Sequence, residues 1–237
     1  MGIFVCLLVN PILGQFTRTE TNPKGSFIKR AIVPTSLILG GALLSGSSFE
    51  RNLQSDLRNE LGSDFFTEID DYTRFAPIAQ MYIADLAGVK AKNHWFDQTK
   101  HLTISVVVNQ ILTGSLKRIT KKQRPDGSSG LKSWPSGHTS LAFVSATVLY
   151  EEFKEESPIL AYSGYVFAGA TGFLRMANNR HWLSDVLAGA GLGILVTKLV
   201  YEFDGLFSWN PFLKSKDITF APNYNEGALG FYFSKKF

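Results

Sequence analysis

Six long apolar stretches limit what this chain can fold into more than any other feature. They run from Ala31 to Phe49, Phe75 to Val89, His101 to Leu116, His138 to Tyr150, Ser157 to Leu174 and Asp185 to Phe203. Their length favours helix over strand. A bilayer span takes roughly 20 largely apolar residues, and most of these stretches are shorter or interrupted, by Pro34 in the first and by Gln80 and Asp85 in the second. Between the first two, Leu53, Leu57 and Leu61 recur every fourth residue, the spacing of an amphipathic helix. The pattern predicts an all-α chain with a bundle of about six core helices. Gly189 and Gly193 have the GxxxG spacing that lets helices approach closely, which suits a membrane bundle and a tightly packed soluble one alike.

The two ends read differently. Ile3 to Val9 is apolar and leads through Asn10-Pro11-Ile12-Leu13-Gly14 to polar Gln15, the core and cleavage end of a secretory signal. No basic residue precedes that run, the first being Arg18. Residues 1–14 are therefore expected to be a signal peptide, and the chain to be exported to the cell envelope. The helical domain then covers 15–203 and a C-terminal segment 204–237. In that segment Asn210-Pro211 marks a loop. Ile218 to Ala221 and Ala228 to Phe237 read as two strands, with Leu229, Phe231, Phe233 and Phe237 on one face. The expectation is a short C-terminal β-hairpin packed on the bundle. Cys6 is the sole cysteine, so neither an intrachain disulfide nor a cysteine metal site is available.

Three polar clusters interrupt the apolar pattern. The first is Lys117-Arg-Ile-Thr-Lys-Lys-Gln-Arg124-Pro125, in which Lys117 and Arg124 lie close to two helical turns apart and share a face. Five basic residues in eight also describe a solvated or nucleic-acid-facing patch. No aromatic residue is interleaved for base stacking, which argues against nucleic acid. The second is Pro135-Ser136-Gly137-His138, opening the fourth stretch. A helix start of this kind leaves N–H groups free to bind an anion, Gly137 lets the backbone come close, and His138 can carry a proton. An ordinary helix start with an incidental histidine fits the tetrapeptide equally well.

The third cluster is Arg175-Met-Ala-Asn-Asn-Arg-His181-Trp-Leu-Ser-Asp185. His181 and Asp185 are four apart, so on a helix they share a face. The carboxylate can then fix the imidazole tautomer and leave the second nitrogen as a nucleophile. A metal pair or a plain helix-surface pair has the same spacing, although His94 and His101 offer no matching ligand setting. In an up-down bundle the end of the third stretch, the start of the fourth, the end of the fifth and the start of the sixth all fall at one end. That brings the three clusters together.

In this order, Lys-x6-Arg-Pro, Pro-Ser-Gly-His and Arg-x5-His-x3-Asp resemble the three-part signature of the type 2 phosphatidic acid phosphatase superfamily. That superfamily also holds bacterial acid phosphatases and vanadium haloperoxidases. The resemblance covers residues 117–185, and one position departs from it: Leu174 stands where the family usually has Ser before the third-motif Arg. That removes one hydroxyl from the phosphate pocket. The resemblance implies an acid phosphatase/haloperoxidase-like bundle that hydrolyses a phosphate or diphosphate ester through a phosphohistidine, with no metal or other cofactor. It implies that Lys117, Arg124 and Arg175 bind the phosphoryl oxygens, assisted by Ser136 and the Gly137 backbone. His181 would attack phosphorus, Asp185 would orient it, and His138 would protonate the leaving oxygen and then activate water.

The expected partners are a phosphorylated lipid or a small phosphate ester, and a membrane, but not nucleic acid. The net charge of +4 and pI of about 9.1 fit an anionic substrate or an anionic surface. A mean hydropathy of +0.03 and the interrupted stretches suit a bundle in which not every stretch spans the membrane. The expected export and the family resemblance imply that it lies in or against the outer face, with its active site on the periplasmic side. The rivals are a non-catalytic phospholipid-binding envelope protein and a haloperoxidase holding vanadate on His181.

Overall fold

The structure, a computed structural model, describes residues 27–128, 130–207, 209–212, 218–225 and 228–235, and side chains as far as Phe212. The expected signal peptide at 1–14 lies outside the described residues. Eight α-helices occur among the described residues: α1 (Phe27–Leu44), α2 (Ser48–Leu61), α3 (Ile69–Thr73), α4 (Ala76–Leu86), α5 (Trp95–Thr120), α6 (Gly137–Phe153), α7 (Pro158–Ala177) and α8 (Leu183–Glu202). The six apolar stretches map in order onto α1, α4, α5, α6, α7 and α8. The leucine repeat is α2, and the five-residue α3 has no counterpart in the periodicity.

One boundary moves. The first stretch, expected to run to Phe49, ends at Leu44, and Phe49 belongs to α2. Gly46 takes a left-handed φ of +77°, and the Ser47 side chain caps the next helix by accepting from the Glu50 N–H at 3.1 Å. Pro34 does not break α1, which runs through it for 18 residues.

α6 is the centre of the bundle, with α7 and α8 packed along it and α5 and α4 beside it. Its buried face mixes Val144, Val148, Leu149 and Phe153 with Ser140, Ser145 and Thr147. Asn109 of α5 accepts from the Ser140 hydroxyl at 2.6 Å, a polar link across the two helices, while Ser145 and Thr147 donate to carbonyls of their own helix. α8 owes its position to glycine. A Cβ on Gly193 would lie 2.3 Å from the Ser140 carbonyl oxygen, and one on Gly189 2.6 Å from that of Ser136. On another face of α8, a Cβ on Gly191 would meet the Pro34 carbonyl of α1 at 2.4 Å. Main chain thus touches main chain at three places, the close approach that small residues permit.

The outside is apolar where the inside is partly polar. Ile32 and Leu43 of α1, Ile83 and Leu86 of α4, Ile111 of α5, and Ile159 and Val166 of α7 are all more than half exposed. Such continuous apolar surface marks a membrane or protein contact. Two helices, α1 and α8, are long and apolar enough to cross a bilayer, α1 largely exposed and α8 largely buried. α4, with 11 residues, extends only about 16 Å. Its interrupting polar groups are partly satisfied internally, the Gln80 amide by donating to the Ser163 hydroxyl and one Asp85 oxygen by accepting from the Gln98 amide.

Beyond the bundle, the backbone of Ile218–Asn225 (β1) and Ala228–Lys235 (β2) runs as a two-stranded antiparallel ladder with Phe220 opposite Phe233. The side chains that would pack it on the bundle lie outside the described residues.

Candidate active site

The end of α5, the start of α6, the turn from α7 to α8 and the start of α8 meet at one end of the bundle, as chain parity required. α7 closes in a Schellman turn. The Arg180 N–H reaches the Arg175 carbonyl at 3.0 Å and the Asn179 N–H that of Met176 at 2.9 Å, and Asn179 takes the left-handed φ of +58° that such a turn requires. This reversal brings His181 back beside Arg175, and its N–H bonds the Arg175 carbonyl at 3.2 Å. Gln54 of α2 braces the turn by donating to the Met176 carbonyl and the Asn179 side chain.

Ser136 caps α6. Its hydroxyl oxygen accepts from the Thr139 N–H and hydroxyl, and its own N–H donates to the Asp185 carbonyl at 2.9 Å, tying the start of α6 to the first turn of α8. Ser136 is fully buried, so its hydroxyl hydrogen is what it has left to offer a ligand. The N–H groups of Gly137 and His138 have no partner among the described residues, as expected for a first helical turn. A Cβ on Gly137 would meet nothing nearer than Thr113 at 3.8 Å and the Lys117 side chain at 3.9 Å. The space over this turn is therefore open toward Lys117.

His181 and Asp185 are both buried, and the imidazole Nδ1 lies 3.3 Å from Asp185 Oδ2. The same oxygen accepts from the Trp182 N–H at 2.9 Å and from the Ser133 hydroxyl. A carboxylate so held keeps Nδ1 as the protonated nitrogen and leaves the Nε2 lone pair free. Burial, with the Lys117 and Arg175 charges, outweighs the pull of Asp185 and pushes the His181 pKa down to about 4. The ring is thus neutral, the form that can act as a nucleophile.

The cations are less free than the sequence suggested. Lys117 donates to the Lys132 and Ser133 carbonyls at 2.7 and 3.3 Å, and burial and the Arg124 charge lower its pKa to about 8. Arg124 is half-buried, with its Nε unpaired among the described residues. Arg175 is already ion-paired: its Nη1 lies 2.7 Å from Asp70 Oδ2, because a cation this buried needs a counter-charge. Of the three cations expected to bind phosphoryl oxygens, Arg175 is thus partly neutralised by Asp70 of α3.

The next residue, Asp71, lies 2.7 Å from His138 Nε2. Burial and Arg175 lower the His138 pKa, with Asp71 pulling against them. Asp70, Asp71 and His138 offer ligand atoms within 4.8 Å of one another, a spacing a metal ion could use. Each already has a protein partner: Arg175 and Asn178 for Asp70, and Asp71 and His138 for one another. His94 and His101 stand apart from the site. His94 caps α5, and His101, about 24 Å from Lys117 along α5, binds Asp204 at 2.6 Å.

Sequence reasoning missed five residues here: Asp70, Asp71, Ser133, Glu50 and Lys122. Lys122 belongs to the basic run but was given no task. Its Nζ lies 3.1 Å from Asp185 Oδ1, 3.2 Å from both Glu50 oxygens and 2.5 Å from the Ser184 hydroxyl. All five partners are distant in sequence, so no spacing signal could have found them.

Fold and site together define a helical bundle with Lys117, Arg124 and Arg175 gathered at one end around a buried His181–Asp185 pair. The PAP2 superfamily model matches residues 98–208, which include every motif residue named above. The lipid A 1-phosphatase of Porphyromonas gingivalis is 34% identical over 180 residues, which cover 74% of this chain and 39% of that protein. Residues 98–208 thus belong to the PAP2, or type 2 phosphatidic acid phosphatase, superfamily. The chloroplastic lipid phosphate phosphatase epsilon 2 of Arabidopsis thaliana is 28% identical over 176 residues, 70% of this chain and 58% of that protein. The chain thus spans less than two thirds of the length of either curated relative. A solved transmembrane PAP2-type phosphatidylglycerolphosphate phosphatase from Bacillus subtilis shares the helical fold. It has a TM-score of 0.51 and 20% identity, with 73% of this chain and 96% of that one covered.

Proposed function

We propose that this protein hydrolyses the phosphate ester of a membrane lipid through a phosphohistidine on His181, without a metal. The observation that carries the reading is the buried His181–Asp185 pair, with its neutral imidazole set among Lys117, Arg124 and Arg175. His181 Nε2 attacks phosphorus and the bond from phosphorus to the leaving oxygen breaks. His138 gives that oxygen a proton, with Asp71 holding one ring nitrogen and leaving Nδ1 for the substrate. Water then attacks phosphorus as His138 takes its proton, the phosphorus–nitrogen bond breaks with its electron pair returning to His181 Nε2, and inorganic phosphate leaves. Lys117, Arg124 and the N–H groups of Gly137 and His138 stabilise the charge on the phosphoryl oxygens. Arg175 adds the part of its charge that Asp70 does not offset, and Ser136 shapes the turn.

The named activities of the curated relatives and the apolar exterior of the bundle favour a lipid substrate. The test is phosphate release from phosphatidate and lipid A in detergent micelles, against a soluble aryl phosphate, each with and without EDTA. Release from lipid that survives EDTA is expected. Loss of activity in EDTA, restored by a divalent cation, would overturn the metal-free mechanism and turn attention to Asp70, Asp71 and His138. No release from any ester would favour a non-catalytic lipid-binding protein.

The proposed setting is the cell envelope, with the pocket on the outer, periplasmic face. The short α4 and amphipathic α2 support a bundle in which not every helix spans. Leu131 is exposed in the loop between the first two motifs. With Cys6→Ser to remove the native thiol, Leu131→Cys is expected to react with a membrane-impermeant maleimide in intact spheroplasts. Reaction only after lysis would place the pocket in the cytoplasm.

A further inference from the structure

The Lys122 ammonium is partly buried and meets the Asp185 oxygen that does not contact His181. Asp185 Oδ2 serves His181, Trp182 and Ser133, while Oδ1 faces Lys122 Nζ at 3.1 Å. Lys122 is held in turn by Glu50 of α2, whose carboxylate is 1% exposed and also accepts from the Ser184 and Gly46 N–H groups at 3.0 and 2.8 Å. A carboxylate buried so completely persists only when its charge is matched and its lone pairs are filled. The Glu50 and Asp185 carboxylates thus meet at one ammonium group.

We propose that Lys122 and Glu50 are positioning residues that tune the proton affinity of the nucleophile, Lys122 weakening the pull of Asp185 on a second proton and Glu50 limiting how far it does so. This rests on His181 being the nucleophile. Asp185 alone would draw a second proton onto the imidazole, and an imidazolium has no lone pair with which to attack phosphorus. Lys122 offsets that pull while leaving the Nδ1 hydrogen bond in place. Glu50 anchors Lys122 and returns part of the negative charge. The other charged groups facing His181 are Lys117 from α5, Arg124 from the following loop, Arg175 from α7 with its partner Asp70 from α3, and His138 from α6. None of these contacts Asp185 Oδ1.

The proposal makes opposite demands on two neighbouring residues. Lys122→Met leaves two carboxylates without their cation and should raise the pH at which His181 takes up a proton by about one pH unit, the lower end of the effect of a nearby charge. Glu50→Gln frees Lys122 to act on Asp185 alone and should lower that pH. Both are read in the intact protein in detergent, by NMR titration of histidines labelled at the Cε1 carbon, with His181→Asn used to assign the signal. The acid limb of kcat/KM for phosphate release should move with the titration. The NMR reading does not depend on turnover, so an inactive wild type would sink the proposed function while leaving this inference open to test.

Shifts of the same sign in the two variants, or a His181 titration unmoved in both, would overturn the proposal and leave a structural brace. If Lys122→Met fails to fold, the double variant Glu50→Gln/Lys122→Met removes one charge of each sign. It should titrate within a few tenths of a unit of wild type, between the two single shifts. A double variant that shifts as far as Glu50→Gln alone would overturn the proposal.

Discussion

Replacing His181 with alanine is expected to lower phosphate release by at least about 10⁴-fold, the scale of losing a nucleophile that acts as part of a unit. That corresponds to about 5.5 kcal/mol of transition-state stabilisation. No other imidazole can take over. His138 is engaged with Asp71, and His101 lies at the far end of α5. The substitution also leaves Asp185 Oδ2 with one donor fewer, at a cost of about 1–3 kcal/mol of stability. Thermal unfolding in detergent should accompany the assay to show that the variant is folded. The positive counterpart is a trapped intermediate. Wild type quenched in alkaline denaturant after mixing with radiolabelled substrate should carry protein-bound phosphate that acid removes, and the alanine variant should carry none. Wild-type turnover in the variant would exclude His181 as the nucleophile.

The second large effect belongs to His138 and depends on the substrate. An alkoxide leaves poorly without a proton, whereas a nitrophenolate departs unaided. His138→Ala should therefore slow hydrolysis of an alkyl phosphate about 10²–10⁴-fold, the usual worth of general acid catalysis, and that of an aryl phosphate far less. The pH dependence follows from the same pair of residues. His138 must be protonated for the first step, and burial and Arg175 hold its pKa below the usual 6.5, so kcat/KM should fall as pH rises through that value. His181 must be neutral, and its pKa is near 4, so activity should also fall as pH drops through that range. The expected profile is a bell on the acid side of neutrality, and loss of His138 should remove its alkaline limb. Equal losses on alkyl and aryl esters would assign His138 a binding role instead.

Much of the site was legible because its chemistry sits at fixed short spacings. Asp185 lies four positions after His181, Arg124 seven after Lys117, and the Ser136-Gly137-His138 turn is contiguous. Parity along the bundle then put these pieces at one end. What escaped was pairing between segments distant in sequence. Asp70 meets Arg175, Asp71 meets His138 and Glu50 meets Lys122 across 105, 67 and 72 positions. Glu50 opens a helix whose leucine repeat pointed only to an amphipathic face. Asp70 and Asp71 sit in a five-residue helix too short to show a period. The end of α1 was misplaced for a related reason: hydrophobicity continues past Gly46 and Ser47, and only backbone conformation and capping stop the helix there.

The glycine contacts of α8 bear on how this site tolerates change. At Gly189 the main chain of α8 rests on the Ser136 carbonyl, at the cap of the helix that begins with Gly137 and His138. Four residues earlier along α8 is Asp185, and just before the helix is His181. The gap between His181 and the Gly137–His138 turn is therefore gauged by peptide groups, which cannot change rotamer or be trimmed by a methyl group. A core of interlocking side chains can absorb an enlarged residue by repacking its neighbours, whereas a stop made of backbone passes any added bulk straight into the spacing. Misplacements near 1 Å are already costly for group transfer. Sequence drift in this bundle is thus freest on its apolar exterior, while the inner seam of α8 acts as the calibrated spacer of the active site.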